Sequence, residues 1–311
     1  MAQQYDFDSF YETYLAQNLD ELEKRRKKKI KCFRIVLLYS LPGYLIAFYT
    51  IAIVSDRIIF MFGVFLALGF TLVSFTQLKT YMAQVKPLYK KVVITPILKY
   101  LYEDIDYRPF QKISGKVLNE SLLIKKKVQK TKGDDFVRCR IGQTHIMFSE
   151  VEGYAGSNEK MIYAGIFISA TFNKTFKTKT IVLPSSFRTH LHKIKLELGT
   201  KMHHPQHIKL EDPNFNKEYI VIGEDQVESR YLLSTTLMER MRDYQNHFKG
   251  KVAFSFINNR IYISIPVKKN MFEARLFVPI NDKSYIKYNY DYFKLLLDVV
   301  EELDLNNRIW L

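Results

Sequence analysis

IVLLYSLPGYLIAFYTIAIV (residues 35–54) and IIFMFGVFLALGFTLVSFTQ (residues 58–77) stand almost back to back, parted only by Ser55-Asp56-Arg57. Each run holds 20 residues and no charged side chain. At about 1.5 Å per residue, either run as a helix is roughly 30 Å long, the thickness of a bilayer's hydrocarbon core. Two such runs joined by three residues predict a transmembrane helical hairpin. A cleaved signal peptide fits poorly: the first run starts beyond residue 30, exceeds an h-region in length and is followed at once by a second span. Pro42-Gly43 does not count against a span, because membrane helices tolerate such pairs with a kink.

Outward from the hairpin, both flanks are basic. Lys24, Arg25, Arg26, Lys27, Lys28, Lys29, Lys31 and Arg34 precede it, and Lys79, Lys86, Lys90, Lys91 and Lys99 follow. The turn carries one acid and one base. The positive-inside rule therefore places both termini in the cytoplasm and the turn outside, as a multi-pass protein of the cell (inner) membrane. The formal net charge is +15, and residues 78–132 supply most of it, with 13 basic against 4 acidic side chains. Juxtamembrane Lys and Arg set topology and meet anionic headgroups of the lipid bilayer, which explains this charge better than a nucleic-acid groove. The run Lys125-Lys126-Lys127 to Lys132 reads as a solvated loop or a lipid-facing patch, and no nucleic-acid partner is expected. Cys32 and Cys139 are the two cysteines, on a side expected to be reducing, so no disulfide is expected.

The rest of the chain divides by pattern. Residues 1–31 read as an amphipathic, basic N-terminal helix, with Phe7, Phe10, Tyr11, Tyr14, Leu15, Leu19 and Leu22 at helical spacing. That stripe must pack on the cytoplasmic domain of the same chain, on a second copy or on the membrane surface. The hairpin occupies 32–80 and a juxtamembrane helix 81–104, with a break expected near Pro96. Residues 105–311 read as a cytoplasmic α+β domain. Strands are expected at 136–141, 145–151, 161–172, 180–183 and 219–222, then a hairpin of 252–257 and 260–265 turning on Asn258-Asn259. Two helices should follow the 219 strand, the second opened by a Thr236/Glu239 capping box, and a last helix should span about 291–303.

Chemistry is sparsely signalled. There is no phosphate-cradling glycine loop, dinucleotide fingerprint, nucleophile elbow or paired-histidine zinc helix, so no catalytic residue and no cofactor is assigned. His190, His192, His203, His204 and His207 crowd into 18 residues and are the candidates for a metal; exposed loop histidines are the plainer reading. Glu224-Asp225-Gln226-Val227-Glu228-Ser229-Arg230-Tyr231 gathers ionisable groups. In a helix starting after Gly223, Glu224 and Glu228 share a face, a spacing that serves acid–base work or a structural pairing.

The stretch from Lys209 to Met241 resembles the bacterial domain-of-unknown-function family 3137. The likeness is carried by Leu210-Glu-Asp-Pro-Asn-Phe-Asn-Lys217 and Asp225-Gln-Val-Glu-Ser-Arg-Tyr-Leu-Leu233, supported by Phe148-Ser-Glu-Val151, Phe172-Asn-Lys-Thr-Phe176 and Thr180-Ile-Val-Leu-Pro184. It covers roughly residues 105–280. Ser229 stands where Ala is usual, and Ser234-Thr235 where Thr-Pro is usual. The resemblance implies an architecture of basic N-terminal helix, membrane hairpin and cytoplasmic α+β domain, and no established activity. Physically, Asp212-Pro213 fits a turn, Phe215 a core anchor, Asp225 a helix start, and Arg230 beside Tyr231 a buried or groove-lining ion pair. Gln226 and Glu228 complete a motif that either fixes the fold or lines a ligand pocket.

The expectation is thus an α+β protein with a two-helix transmembrane hairpin. It would act as a membrane-anchored cytoplasmic interaction or sensing module, with an unidentified protein partner and the possibility of a homo-oligomer. A membrane-tethered enzyme, with or without a metal, and with a site near 190–231, is the alternative. A pore of hairpin oligomers is weaker, because Ser40, Tyr44, Thr50, Thr71 and Ser74 are scattered.

Overall fold

The structure is a computed structural model that describes residues 6–49, 57–172, 175–267, 271–275 and 277–305. The chain forms two compact units, Met1–Tyr100 with Phe272–Tyr290, and Leu101–Met271 with Asp291–Leu311. Residues 272–290 thus group with the N-terminal helices, whereas the sequence suggested one continuous domain from 105 to 311.

In the first unit, α1 (Phe7–Phe10) opens under Asp6, whose carboxylate accepts from the Asp8 and Ser9 amides. It runs through a π turn (Tyr11–Leu15) into α2 (Ala16–Tyr49). The buried stripe Phe7, Tyr11, Leu15, Leu19 is spaced by fours, wider than an α-helical turn. The π turn takes up the excess and keeps the stripe on one face. Its cover comes from the same chain. Phe7 packs edge-on against Tyr290 at 5.2 Å, and Phe10 lies 4.5 Å from Tyr100. Tyr11 donates to the Asn281 carbonyl, and a buried Glu23–Arg26 pair (2.7 Å) accepts the Ile280 amide on Glu23. The helix expected to end near residue 31 continues without a break into the first apolar run.

The second long helix is α3 (Arg57–Tyr89), followed by a π turn (Lys90–Ile94) and α4 (Thr95–Leu101). No break occurs at Pro96. The π turn just before it supplies the relief: the Thr95 amide reaches back to the Lys90 carbonyl, and the Thr95 hydroxyl donates to the same oxygen at 2.9 Å. The segments Asn18–Tyr49 and Arg57–Leu101 each hold a window long and apolar enough to cross a membrane. Residues 50–56, which include the end of the first run, Thr50 and the Ser55-Asp56 turn, lie outside the described residues, as does the side chain of Ser40.

α2 and α3 meet at small residues. A Cβ built on Gly43 would lie 3.0 Å from the Ala67 amide, and one on Gly63 the same distance from the Ala47 amide. Gly43 with Ala47 and Gly63 with Ala67 are reciprocal small-xxx-small pairs, which let two helix backbones approach closely. Tyr44 donates to the Thr71 hydroxyl at 2.8 Å, and Thr71 and Ser74 donate to carbonyls one turn back, so these hydroxyls are used inside the hairpin.

The second unit is built on a nine-stranded antiparallel sheet. Its strands are β1 (Asp106–Arg108), β2 (Lys130–Ile141), β3 (Thr144–Ala155), β4 (Lys160–Thr171), β5 (Thr180–Pro184), β6 (Gln206–Ile208), β7 (Tyr219–Gly223), β8 (Ala253–Ile257) and β9 (Arg260–Pro266). Their order is β1-β2-β3-β4-β9-β8-β5-β7-β6. All seven strands expected from sequence are present, and the short edge strands β1 and β6 are additional. β8 and β9 turn on Asn258-Asn259, with Asn258 at φ 57° as a tight turn requires. β5, β7 and β8 are buried at every position, so both faces of the sheet centre are covered.

The helices of this unit are α5 (Gly115–Glu120), α6 (Leu191–Leu198, after a 3-10 turn), α7 (Pro213–Glu218), α8 (Gln226–Leu232), α9 (Thr235–Asn246) and the later part of α10 (Lys283–Glu302). α9 is capped two residues earlier than expected. The Ser234 hydroxyl accepts the Leu237 amide, so the Thr236/Glu239 box is not used. Two apolar clusters lie against the sheet, one around Leu118, Val151 and Phe167, the other around Ile194, Leu198 and Ile220; Leu122 and Leu123 pack on both.

Candidate functional site

The Lys209–Met241 motif is assembled around β7. Asp212 is a helix cap and not only a turn residue: its carboxylate accepts the Asn214 and Phe215 amides (2.7 and 3.2 Å), with Pro213 in the first turn of α7. That seats Phe215, fully buried, in stacked contact with Tyr219 at 4.9 Å. Asp225 caps α8 by accepting the Glu228 amide at 2.7 Å.

The two glutamates do face one neighbourhood, and backbone donors occupy them. Glu228 accepts the Lys177 amide and the Thr178 hydroxyl, each at 2.7 Å. Glu224 accepts the Lys179 and His203 amides, each at 2.8 Å, with the Lys179 ammonium 3.7 Å away. Between them Ser229, buried, meets the Thr180 hydroxyl at 2.9 Å, and a Cβ on Gly223 would collide with the Ser229 hydroxyl. The motif therefore clasps the segment leading into β5 onto the start of α8. Charge-assisted bonds of this kind hold structure, and here they tie both carboxylates to backbone and hydroxyl donors of the neighbouring segments. Gln226 donates to Gln206. Arg230 corrects the expected ion pair: it is exposed and makes none among the described residues, and the neighbouring Tyr231 is exposed as well.

The histidines do not converge. All five are exposed, on the 3-10 turn, α6, the following turn and β6. His203 and His204 touch edge-on, and His190 pairs with its neighbour Thr189. Partial burial, helped by Arg188 and Lys195, holds the His207 imidazole below its usual range. Among the described residues, the group of side chains that could hold a metal ion is instead Asp134, Asp135 and Glu150, whose carboxylate oxygens lie within 4.8 Å of one another at the bulge between β2 and β3. Tyr107 donates to Asp135, and the Met271 amide donates to Glu150.

A further feature was hidden from sequence reasoning. A cavity of about 580 Å³ opens between α6, β4 and the strap of residues 121–128, floored by Leu122, Leu123, Ile162, Leu183, Ile194 and Leu198. It lies where the two apolar clusters fail to close on each other. The strap is fixed at both ends. Asn119 exchanges two hydrogen bonds with the Val128 backbone (2.8 and 2.9 Å), and Ser255 donates to the Ser121 carbonyl at 2.6 Å. Leu122 takes a left-handed conformation (φ 60°) that turns the strap over the sheet. Tyr163 on its wall donates to the Ile166 carbonyl, and burial pushes its phenol well up. The one sequence signal is the order Leu-Leu-Ile-Lys-Lys-Lys at 122–127, an apolar half beside a basic half.

Comparison with known proteins adds little chemistry. No curated protein matches the chain. Among solved structures, the crystal structure of the mycobacterial trehalose monomycolate transport factor A, TtfA, is similar at 8% identity and a TM-score of 0.32, covering 64% of this chain and 88% of that one. At that score the likeness carries no argument. Residues 161–305, which hold β4 to α10 and the whole clasp, match the family described as "Protein of unknown function (DUF3137)". The match falls on the region whose motifs carry the resemblance, and the family is one of unknown function.

Proposed function

We propose that this protein is a membrane-anchored interaction or sensing module whose α+β unit works at the cytoplasmic face. One observation carries the anchoring: a belt of large apolar side chains on α2 and α3 faces outward, Phe48, Ile58 and Phe65 each more than 70% exposed. Water-soluble proteins do not leave so continuous an apolar surface uncovered, and a bilayer covers it. Basic residues at both outer ends favour a cytoplasmic placement of the termini and suit anionic headgroups. The clasp supports a binding role over catalysis near 190–231, because its carboxylates are held by amides. A protein partner or a second copy of the chain would then meet the module at the membrane.

The reading is tested in cells. The full chain should stay with the membrane pellet after alkaline carbonate extraction. Protease added outside spheroplasts should spare residues 90–311. Release into the supernatant, or digestion of that region from outside, would overturn the proposal.

A further inference from the structure

The cavity between α6, β4 and the strap has a chemistry of its own. Its floor is aliphatic, and its volume of about 580 Å³ lies in the range of small-molecule sites, about 300–1,000 Å³. Lys125, Lys126, Lys160, Lys201 and Lys251 also line it, against a single acid, Glu197. None of these five lysines makes an ion pair among the described residues, and Lys125 folds over the Phe187 ring at 4.6 Å. Apart from Ser264, the lining offers few neutral polar side chains to read a sugar or a base. An apolar slot with a cationic mouth is complementary to an amphiphile with one tail and an anionic head.

From this lining and charge we infer that the cavity binds a long-chain fatty acid, its acyl chain on the Leu123–Ile194–Leu198 floor and its carboxylate among Lys126, Lys160 and Lys201. The volume suits one acyl chain and falls short of a two-chain phospholipid. Strap residues 122–124 supply apolar floor while 125–126 supply cations, so one segment serves both ends of the ligand. The inference rests on the membrane-module reading and gives it a ligand class, one that partitions into the bilayer beside the domain.

The test uses the full chain in phosphatidylcholine nanodiscs and a diazirine-bearing palmitate, with adducts mapped by peptide mass spectrometry. Adducts are expected on peptides covering 122–126, 161–164 and 191–198, displaced by excess palmitate and not by hexadecanol. Filling the slot with Ile194→Trp should abolish them. The surface pair Lys126→Glu/Lys160→Glu, checked for an unchanged circular dichroism spectrum, should lower them by roughly tenfold. Adducts confined to the apolar runs, equal competition by hexadecanol, or labelling indifferent to charge reversal would each overturn the inference. Failure to enter nanodiscs, read from co-elution with the scaffold, would instead count against anchoring. Palmitate labelling of the detergent-solubilised chain would then still decide the cavity, by the same peptides and competitors.

Discussion

At the scale of single residues, Glu228 and Arg230 sit two positions apart in one motif and do opposite things. Glu228 accepts two donors from the segment before β5, whereas Arg230 points into solvent. Glu228→Ala should cost about 1–2 kcal/mol of unfolding free energy, the loss of charge-assisted bonds to groups that must then find water. Arg230→Ala should stay within about 0.5 kcal/mol. Urea denaturation of the two variants checks both values; an Arg230 variant that destabilises as much as the Glu228 variant would mean the clasp is misread. The sequence placed Asp225 as a helix start and Phe215 as a core anchor, and the structure agrees on both. It misread Arg230, because an arginine amid acids pairs only if the backbone brings them to face one another, and here amides reach the acids first.

At the scale of elements, the close approach of α2 and α3 depends on glycines whose role is invisible from hydropathy. Gly63→Leu forces a side chain into the Ala47 backbone and should lower the thermal midpoint of the full chain in detergent by several degrees, an overpacking cost of about 1–3 kcal/mol. Gly69 has nothing within 4 Å of a built Cβ, so Gly69→Leu is the matched control and should leave the midpoint nearly unchanged. Equal losses at both sites would argue against a tight hairpin. Element existence was largely legible, since strands and helices announce themselves by period. The π turns and the Ser234 cap were not. Each is a local choice among near-equal hydrogen-bonding options, settled by which side chains must be buried.

At the scale of the whole molecule, the chain order and the compact units differ. Residues 272–290 belong with the N-terminal helices, and they bury Ile280, Ile286 and Tyr290 almost completely. A fragment of residues 101–311 therefore carries an apolar segment without the helices of its own unit. It should self-associate or aggregate in size-exclusion chromatography with light scattering, whereas a well-behaved monomer would show that 272–290 need no such cover.

The sequence by itself determined the two apolar helices, the basic flanks and the α+β class, because these follow from composition, periodicity and short-range spacing; its motifs also carried the resemblance that the family match over residues 161–305 repeats. Only the tertiary structure decided that the motif's carboxylates are consumed in a clasp, that the five histidines do not gather into a metal-holding group among the described residues, and that Leu122–Lys126 meets α6 and β4 around an apolar cavity. Those facts depend on which distant segments the sheet order brings together, and a nine-stranded sheet that joins β5 to β7 and β8 places residues 35 to 76 positions apart in direct register. No local pattern encodes that pairing.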